Sequence, residues 1–363
     1  MRWIILRAGL RVGKLPFSMV PALFLIVVSG MAATPPTESD VLSALADSGI
    51  SANLGQTVDA AGRLAAAVGN LCAAPDEGRL QLARAAWRDA WLSYKRTELF
   101  LFDSGDKLTQ SLGNWPVNDV MLDAVVSSEK YRHANSGTDV RGFPGSEYLL
   151  FKPKDAATAT ADERCNHLTD ITSEITNLLS DARQEWEQTL KSKFISAGDG
   201  EPFLVPGDAL SLAVVRMLNV VEHMLREGMG VPSGFFIGGV EGTRPDRLEA
   251  WISKSTADGF LATLGGVRRV LMDGSTSIAD LIAMKDGLVE AKNPALVADI
   301  RKQLDKVEKT VAGLGGSERI HRNTSVLKNL YKQVQKLQDQ LIEAALVLEL
   351  NVNILELGAR EQW

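Results

Sequence analysis

Two stretches in the last third of the chain carry the pattern that most limits the fold. Val297, Ile300, Leu304, Val307 and Val311 recur at intervals of 3, 4, 3 and 4. Leu327, Leu330, Val334, Leu337, Leu341, Ala345 and Leu348 keep nearly the same spacing over about three heptads. An α-helix brings residues three and four apart onto one face, so each stretch is an amphipathic helix that must bury its stripe against other helices. The spacing returns at Leu80, Ala83, Trp87, Ala90 and Tyr94, and Leu168, Ile171, Ile175, Leu178 and Leu179 form a further apolar side. No run alternates convincingly as a half-buried strand would. The chain is therefore predicted to be all-α, with two helical-bundle halves of up-and-down helices and no substantial sheet.

The segmentation follows from composition. Residues 1–33 read as a signal peptide: Arg2, Arg7, Arg11 and Lys14 are basic, residues 19–28 are apolar but short for a membrane span, and Met31-Ala32-Ala33 offers small residues for cleavage. The alternative is an uncleaved N-terminal anchor. A linker over 34–39 leads to an N-terminal bundle over 40–200, with helical patterning from about Asp40. A long helix is predicted over 162–194. The Gly- and Pro-rich stretch 196–206 separates the N-terminal bundle from a C-terminal bundle over 201–363, within which 228–242, holding six glycines, reads as a loop. Removal of the four basic charges in the first 33 residues takes the net charge from −6 to −10. So acidic a protein is a poor partner for nucleic acid or anionic lipid. The expectation is a periplasmic protein with no membrane span after signal cleavage, whose partner is a metal ion or a periplasmic or outer-membrane protein. Its two cysteines, Cys72 and Cys165, are 93 positions apart. In an oxidising compartment they read as one disulfide, which the chain-entropy relation values at about 4–5 kcal/mol; the alternative is two buried free thiols.

Two carboxylates stand in apolar surroundings. Glu98 continues the helix face of Trp87, Trp91 and Tyr94. Glu147 follows the turn residues Pro144 and Gly145 and precedes Tyr148, Leu149, Leu150 and Phe151. A half-buried carboxylate needs a cation, a donor or a metal. For Glu98 the candidates are a metal, or Lys95, Arg96 or a distant arginine; for Glu147 they are a metal or Arg141. Asn118, Asp119 and Asp123 follow the Trp115-Pro116 turn and supply further oxygens, a donor set that suits iron, calcium or manganese. His223 and Glu227 share a helix face at a spacing that can hold a metal. Sequence signatures of zinc peptidases, serine hydrolases, phosphate loops and dinucleotide sites are absent.

Taken together, several pieces resemble the imelysin-like family. Gly142 and Phe143-Pro144-Gly145-Ser146-Glu147-Tyr148-Leu149-Leu150-Phe151 resemble its Gly-x-His-x-x-Glu signature and the apolar run behind it. Ala86-Trp87, Trp91 and Thr97-Glu98-Leu99-Phe100 look like the family's early helix, and Asn114-Trp115-Pro116 looks like its Trp-Pro turn. Arg164-Cys165, with Cys72 upstream, looks like its cysteine pair. The resemblance implies an exported two-bundle helical protein linked to iron acquisition, in a family classed as metallopeptidase-like. Here Glu147 and Gly142 match, but Pro144 stands where the histidine belongs. Asn118 takes the place of an acid, and residues 351–363 lack an Asp-rich closing segment. The function expected is a binding or accessory protein for metal uptake. Glu98, Glu147, Asp119 and Asp123 would ligate iron or another divalent cation, and Arg141, Ser146, Asn118 and Trp115 would complete the binding site. The alternative is a non-catalytic scaffold or interaction module with a degenerate site. Metallopeptidase activity ranks last, because proline offers no imidazole.

Overall fold

A computed structural model of the chain describes residues 36–102, 105–128, 137–161, 163–235, 244–274, 276–285, 295–314, 316–322 and 325–352. The signal segment with its cleavage point, much of the glycine-rich loop and residues 353–363 lie outside the described residues. The helices are α1 (Glu38–Ala44), α2 (Ala52–Ala73), α3 (Glu77–Thr97), α4 (Gly105–Gly113), α5 (Asp119–Val126), α6 (Gly142–Phe151), α7 (Ala156–Ala159), α8 (Arg164–Glu185), α9 (Lys191–Ile195), α10 (Pro206–His223), α11 (Thr256–Met272), α12 (Ile278–Lys285), α13 (Leu296–Ala312), α14 (Ser317–Arg322) and α15 (Ser325–Val347). No strand occurs among the described residues; a single bridge joins Gly200 and Phe203.

Local chemistry sets several boundaries. Helix α1 starts at Glu38, two residues before the predicted start, because Thr37 and Asp40 cap each other. The helix predicted over 162–194 is interrupted: α8 ends at Glu185, residues Trp186–Leu190 widen into a π-turn, and α9 follows. Likewise α10 continues as a π-turn over Met224–Gly230, so the predicted glycine-rich loop begins later than its first glycine. The two long stripes became α13 and α15, with Ile300, Leu304, Val307, Leu330, Val334, Leu337 and Leu341 buried between and behind them.

In the N-terminal half α2 packs against both α3 and α8. Cys72 at the end of α2 is bonded to Cys165 at the start of α8, with the Cα atoms 5.7 Å apart. The C-terminal half reaches α3 through α11, and glycines permit the close approach. A Cβ at Gly266 would lie 2.5 Å from Leu99 Cδ1 and 2.7 Å from the Arg96 carbonyl, and one at Gly259 would overlap the Trp91 ring. From Pro36 onward the chain is one compact unit.

The signature stretch differs most from its sequence reading. Instead of a kinked turn it is the fully helical α6, almost all of it buried. Pro144 sits in the first turn, where its missing N–H has no intrahelical acceptor to lose. Gly142 starts the helix with φ +61°, and a Cβ there would meet the Leu112 carbonyl oxygen of α4 at 2.5 Å. A Cβ at Gly145 would collide with the Val140 carbonyl. Both glycines are thus fixed by backbone crowding. The indole N–H of Trp87 donates to Ser146 Oγ at 3.0 Å, and Phe143 stacks on Tyr94 at 5.2 Å, which seats α6 against α3.

Candidate functional site

Seating α6 this way buries Glu147 completely. Its Oε1 accepts a 2.6 Å hydrogen bond from the backbone N–H of Ser253, while Oε2 has no hydrogen-bond partner. The residue forms part of the wall of a cavity of about 570 Å³ together with Trp115, Asp119, Tyr148 and Trp251. Burial pushes the carboxyl up to about 7, against the pull of the Ser253 bond and the nearby Arg88 charge. Arg88 is itself held in place: its guanidinium lies 4.6 Å from the centre of the Phe151 ring and donates to the Ser253 carbonyl at 3.4 Å. The segment carrying Ser253 is contorted. Ala250 and Lys254 flank it with φ +51° and +58°, a region that costs a side-chain-bearing residue about 1 kcal/mol or more. Packing holds this segment so that one N–H meets Glu147.

A second polar group is built where α3, α10 and the 249 segment meet. Lys95 Nζ lies 2.8 Å from Glu98 Oε2 and 3.0 Å from Glu249 Oε2, and His223 Nε2 lies 3.1 Å from Glu249 Oε1. Lys95 and Glu98 are 8% and 3% exposed in their side chains, so the pair is deeply desolvated. Desolvation works against each charge here. For Lys95 the two carboxylates outweigh it and hold the ammonium pKa above its ordinary value. For Glu249, burial is outweighed by Lys95 and His223, and the carboxyl falls to about 2. For His223, burial is outweighed by Glu249, so the imidazole sits above its ordinary value. Arg216 braces the group by donating to the Glu98 carbonyl at 3.1 Å and to Thr109 Oγ1 at 2.9 Å. His223 and Glu249 line a second cavity of about 460 Å³. The two cavities share Trp115, Pro116 and Arg247 as walls and form neighbouring chambers of one cleft.

Against this geometry the residues expected from sequence divide. Glu147 and Trp115 line the cleft, and Asp119 lines the Glu147 chamber from the start of α5. Glu98 is taken by Lys95 and belongs to neither chamber's wall. Asp123 accepts from Tyr148 Oη at 2.8 Å and pairs with Arg164 at 3.2 Å. Asn118 caps α5 and donates to Asp139; Arg141 pairs with Glu174 rather than with Glu147; Ser146 is occupied by Trp87. The four carboxylates named as ligands are therefore not assembled. Among the described residues no group of three or more His, Cys, Asp and Glu side chains could hold a metal ion, so His223 and Glu227 belong to no such group. The described residues do not fit a resident metal. Lys95, one of the partners expected for Glu98, is the one that holds it, whereas Ser253, Glu249 and Arg247 are not singled out by the sequence. Glu249 and Ser253 lie more than a hundred positions beyond Glu147, and nothing local distinguishes them.

The comparisons with known proteins bear on this cleft. The sequence profile described as imelysin (Peptidase_M75) matches residues 50–348, most of the chain and every residue of both chambers. The chain belongs to the imelysin family. A curated relative, iron-regulated protein A of Synechococcus elongatus, is 25% identical over 187 residues, half of each chain. Crystal structures of a candidate iron-regulated protein A precursor from Parabacteroides distasonis and of an imelysin-like protein from Psychrobacter arcticum share the fold. Their TM-scores are 0.71 and 0.67 at 17% and 14% identity, covering 87% and 88% of this chain and 97% and 98% of theirs. This imelysin has Glu147 in a cavity wall and carries Pro144 at the histidine position of the resembled signature. No helix among its described residues is long and apolar enough to cross a membrane.

Proposed function

We propose that this imelysin is an exported accessory protein of iron uptake that binds its ligand in the Glu147 cleft without peptidase chemistry. The observation that carries the reading is Glu147 Oε2, a carboxylate oxygen without a partner in a buried residue that forms part of a cavity wall. An unpaired buried acceptor costs about 1–3 kcal/mol, and a cavity beside it gives a ligand donor a place to recover that cost. The contorted 250–254 segment stores further strain at the same spot, as ligand sites commonly do. Iron enters the reading through the relative's name and the signal-like N-terminus. With no carboxylate cage assembled, iron would be met in complexed form or handled by a partner protein. Peptidase chemistry needs a metal with an open position and a base. Pro144 removes the imidazole of the resembled signature, and among the described residues no alternative ligand set stands in for it.

The test is genetic. A strain lacking the protein, grown under iron limitation, is expected to accumulate less radiolabelled iron, and wild type supplied in trans is expected to restore uptake while Glu147→Gln does not. Undiminished uptake in the deletion strain, or full rescue by Glu147→Gln, refutes the reading.

A further inference from the structure

The chamber away from Glu147 has a chemistry of its own. Its wall holds two acids, but their charges are already committed. Glu249 lies between Lys95 and His223, and Glu227 sits 3.6 Å from Arg226 at the solvent edge. Asp246, next to Arg247, is paired with Arg244 at 2.7 Å. Arg247 itself lines both chambers, and its guanidinium makes no hydrogen bond or ion pair with a described residue. His223 is 39% exposed; its Nε2 is engaged by Glu249, and its Nδ1 has no partner among the described residues. Lys95 behind Glu249 fixes that carboxylate, and Glu249 fixes the ring. An imidazolium with its rear nitrogen bonded to a carboxylate presents its other N–H forward. The acids facing this chamber are thus offset, and a planar guanidinium and a ring N–H are left over beside the Trp115 indole.

We propose that the chamber walled by His223, Arg247 and Trp115 is a subsite for the carboxylate of a small organic acid. A guanidinium offers a carboxylate two parallel N–H bonds, and a second fixed donor adds orientation. The inference rests on the reading that the cleft binds a ligand, and it names that ligand's class. A carboxylate could arrive on the free acid or on its ferric chelate; the shared chemistry is the carboxylate, and the experiment separates the sources.

The mature protein is titrated calorimetrically at pH 6.5 with citrate, with its neutral trimethyl ester and with ferric citrate. Citrate is expected to bind and the ester to bind at least tenfold more weakly. Arg247→Ala and His223→Gln are each expected to weaken citrate at least tenfold; Arg247→Ala leaves the thermal midpoint within a few degrees, since Arg247 is exposed and makes no ion pair with a described residue, whereas His223→Gln also lowers the midpoint because Glu249 loses a partner. Absence of heat with citrate, or equal affinity for acid and ester, overturns the inference. So does citrate affinity unchanged in Arg247→Ala. Binding of free citrate but not of ferric citrate upholds the subsite and counts against the iron reading. Iron-dependent growth that needs Glu147 in a protein blind to citrate does the reverse.

Discussion

Replacing Lys95 by methionine removes the one cation that two buried carboxylates share, and the structure sets the size of the loss. Its Nζ bonds Glu98 at 2.8 Å and Glu249 at 3.0 Å, with the carboxylates 3% and 12% exposed. Breaking a buried pair by deleting one partner costs about 3–5 kcal/mol, because the other charge stays desolvated. An independent route gives a similar figure. Glu249 falls from 4.5 to about 2 despite burial, through Lys95 and His223 together, which is worth about 3 kcal/mol at neutral pH. The expected loss in Lys95→Met is thus about 3–5 kcal/mol at pH 7, a large share of the roughly 5–15 kcal/mol that holds a typical domain folded. The sign with pH is also fixed. In the wild type, the depressed Glu249 contributes stability that is fully present above 4.5 and lost as pH falls through about 2. In the variant the buried negative charge has lost its lysine, and protonation relieves that charge, so stability is recovered as pH falls from 7. The gap between the proteins therefore narrows between pH 7 and pH 4. Urea unfolding followed by tryptophan fluorescence and far-ultraviolet dichroism at both pH values measures it. A loss under 1 kcal/mol at pH 7, or a loss that does not shrink with acid, refutes the argument.

Glu147 runs in the opposite direction. Its folded value, about 7, lies above the ordinary 4.5, so its contribution is full below 4.5 and lost as pH rises through 7. Glu147→Gln is expected to match wild type near pH 5 and to be more stable by about 3 kcal/mol at pH 8.5; urea midpoints at both values check this. Removing the Cys72–Cys165 bridge by double serine substitution frees a loop of 93 residues' separation, worth about 4.7 kcal/mol in the chain-entropy relation. Calorimetry should show a lower unfolding midpoint, and an unchanged midpoint would show that the bridge constrains nothing the fold does not.

Periodicity alone determined that this protein is helical and which side of α3, α8, α13 and α15 turns inward, because a 3.6-residue repeat is a property of the local chain. The cysteine pair and the exceptional character of 142–151 were legible for the same reason: both are written in residue type. What the stretch became was not legible. Pro144 and Gly145 read as a turn, yet a proline in the first turn of a helix costs nothing there, and it takes α4 crowding Gly142 and the 140 carbonyl crowding Gly145 to show why those residues are needed. Of the two buried carboxylates, Glu98 had its partner among the candidates its own helix offers, and the partner of Glu147 lay out of view. Glu98 chose the lysine three residues before it over a metal, while Glu147 bonded a backbone N–H from a segment 106 positions away. Nothing in the types of residues 249–253 announces that role. It exists because α11 closes on α3 across Gly259 and Gly266 and brings the strained turn before it against α6. Sequence fixes which groups a helix face offers, and only the packing of one face on another decides which of them meet.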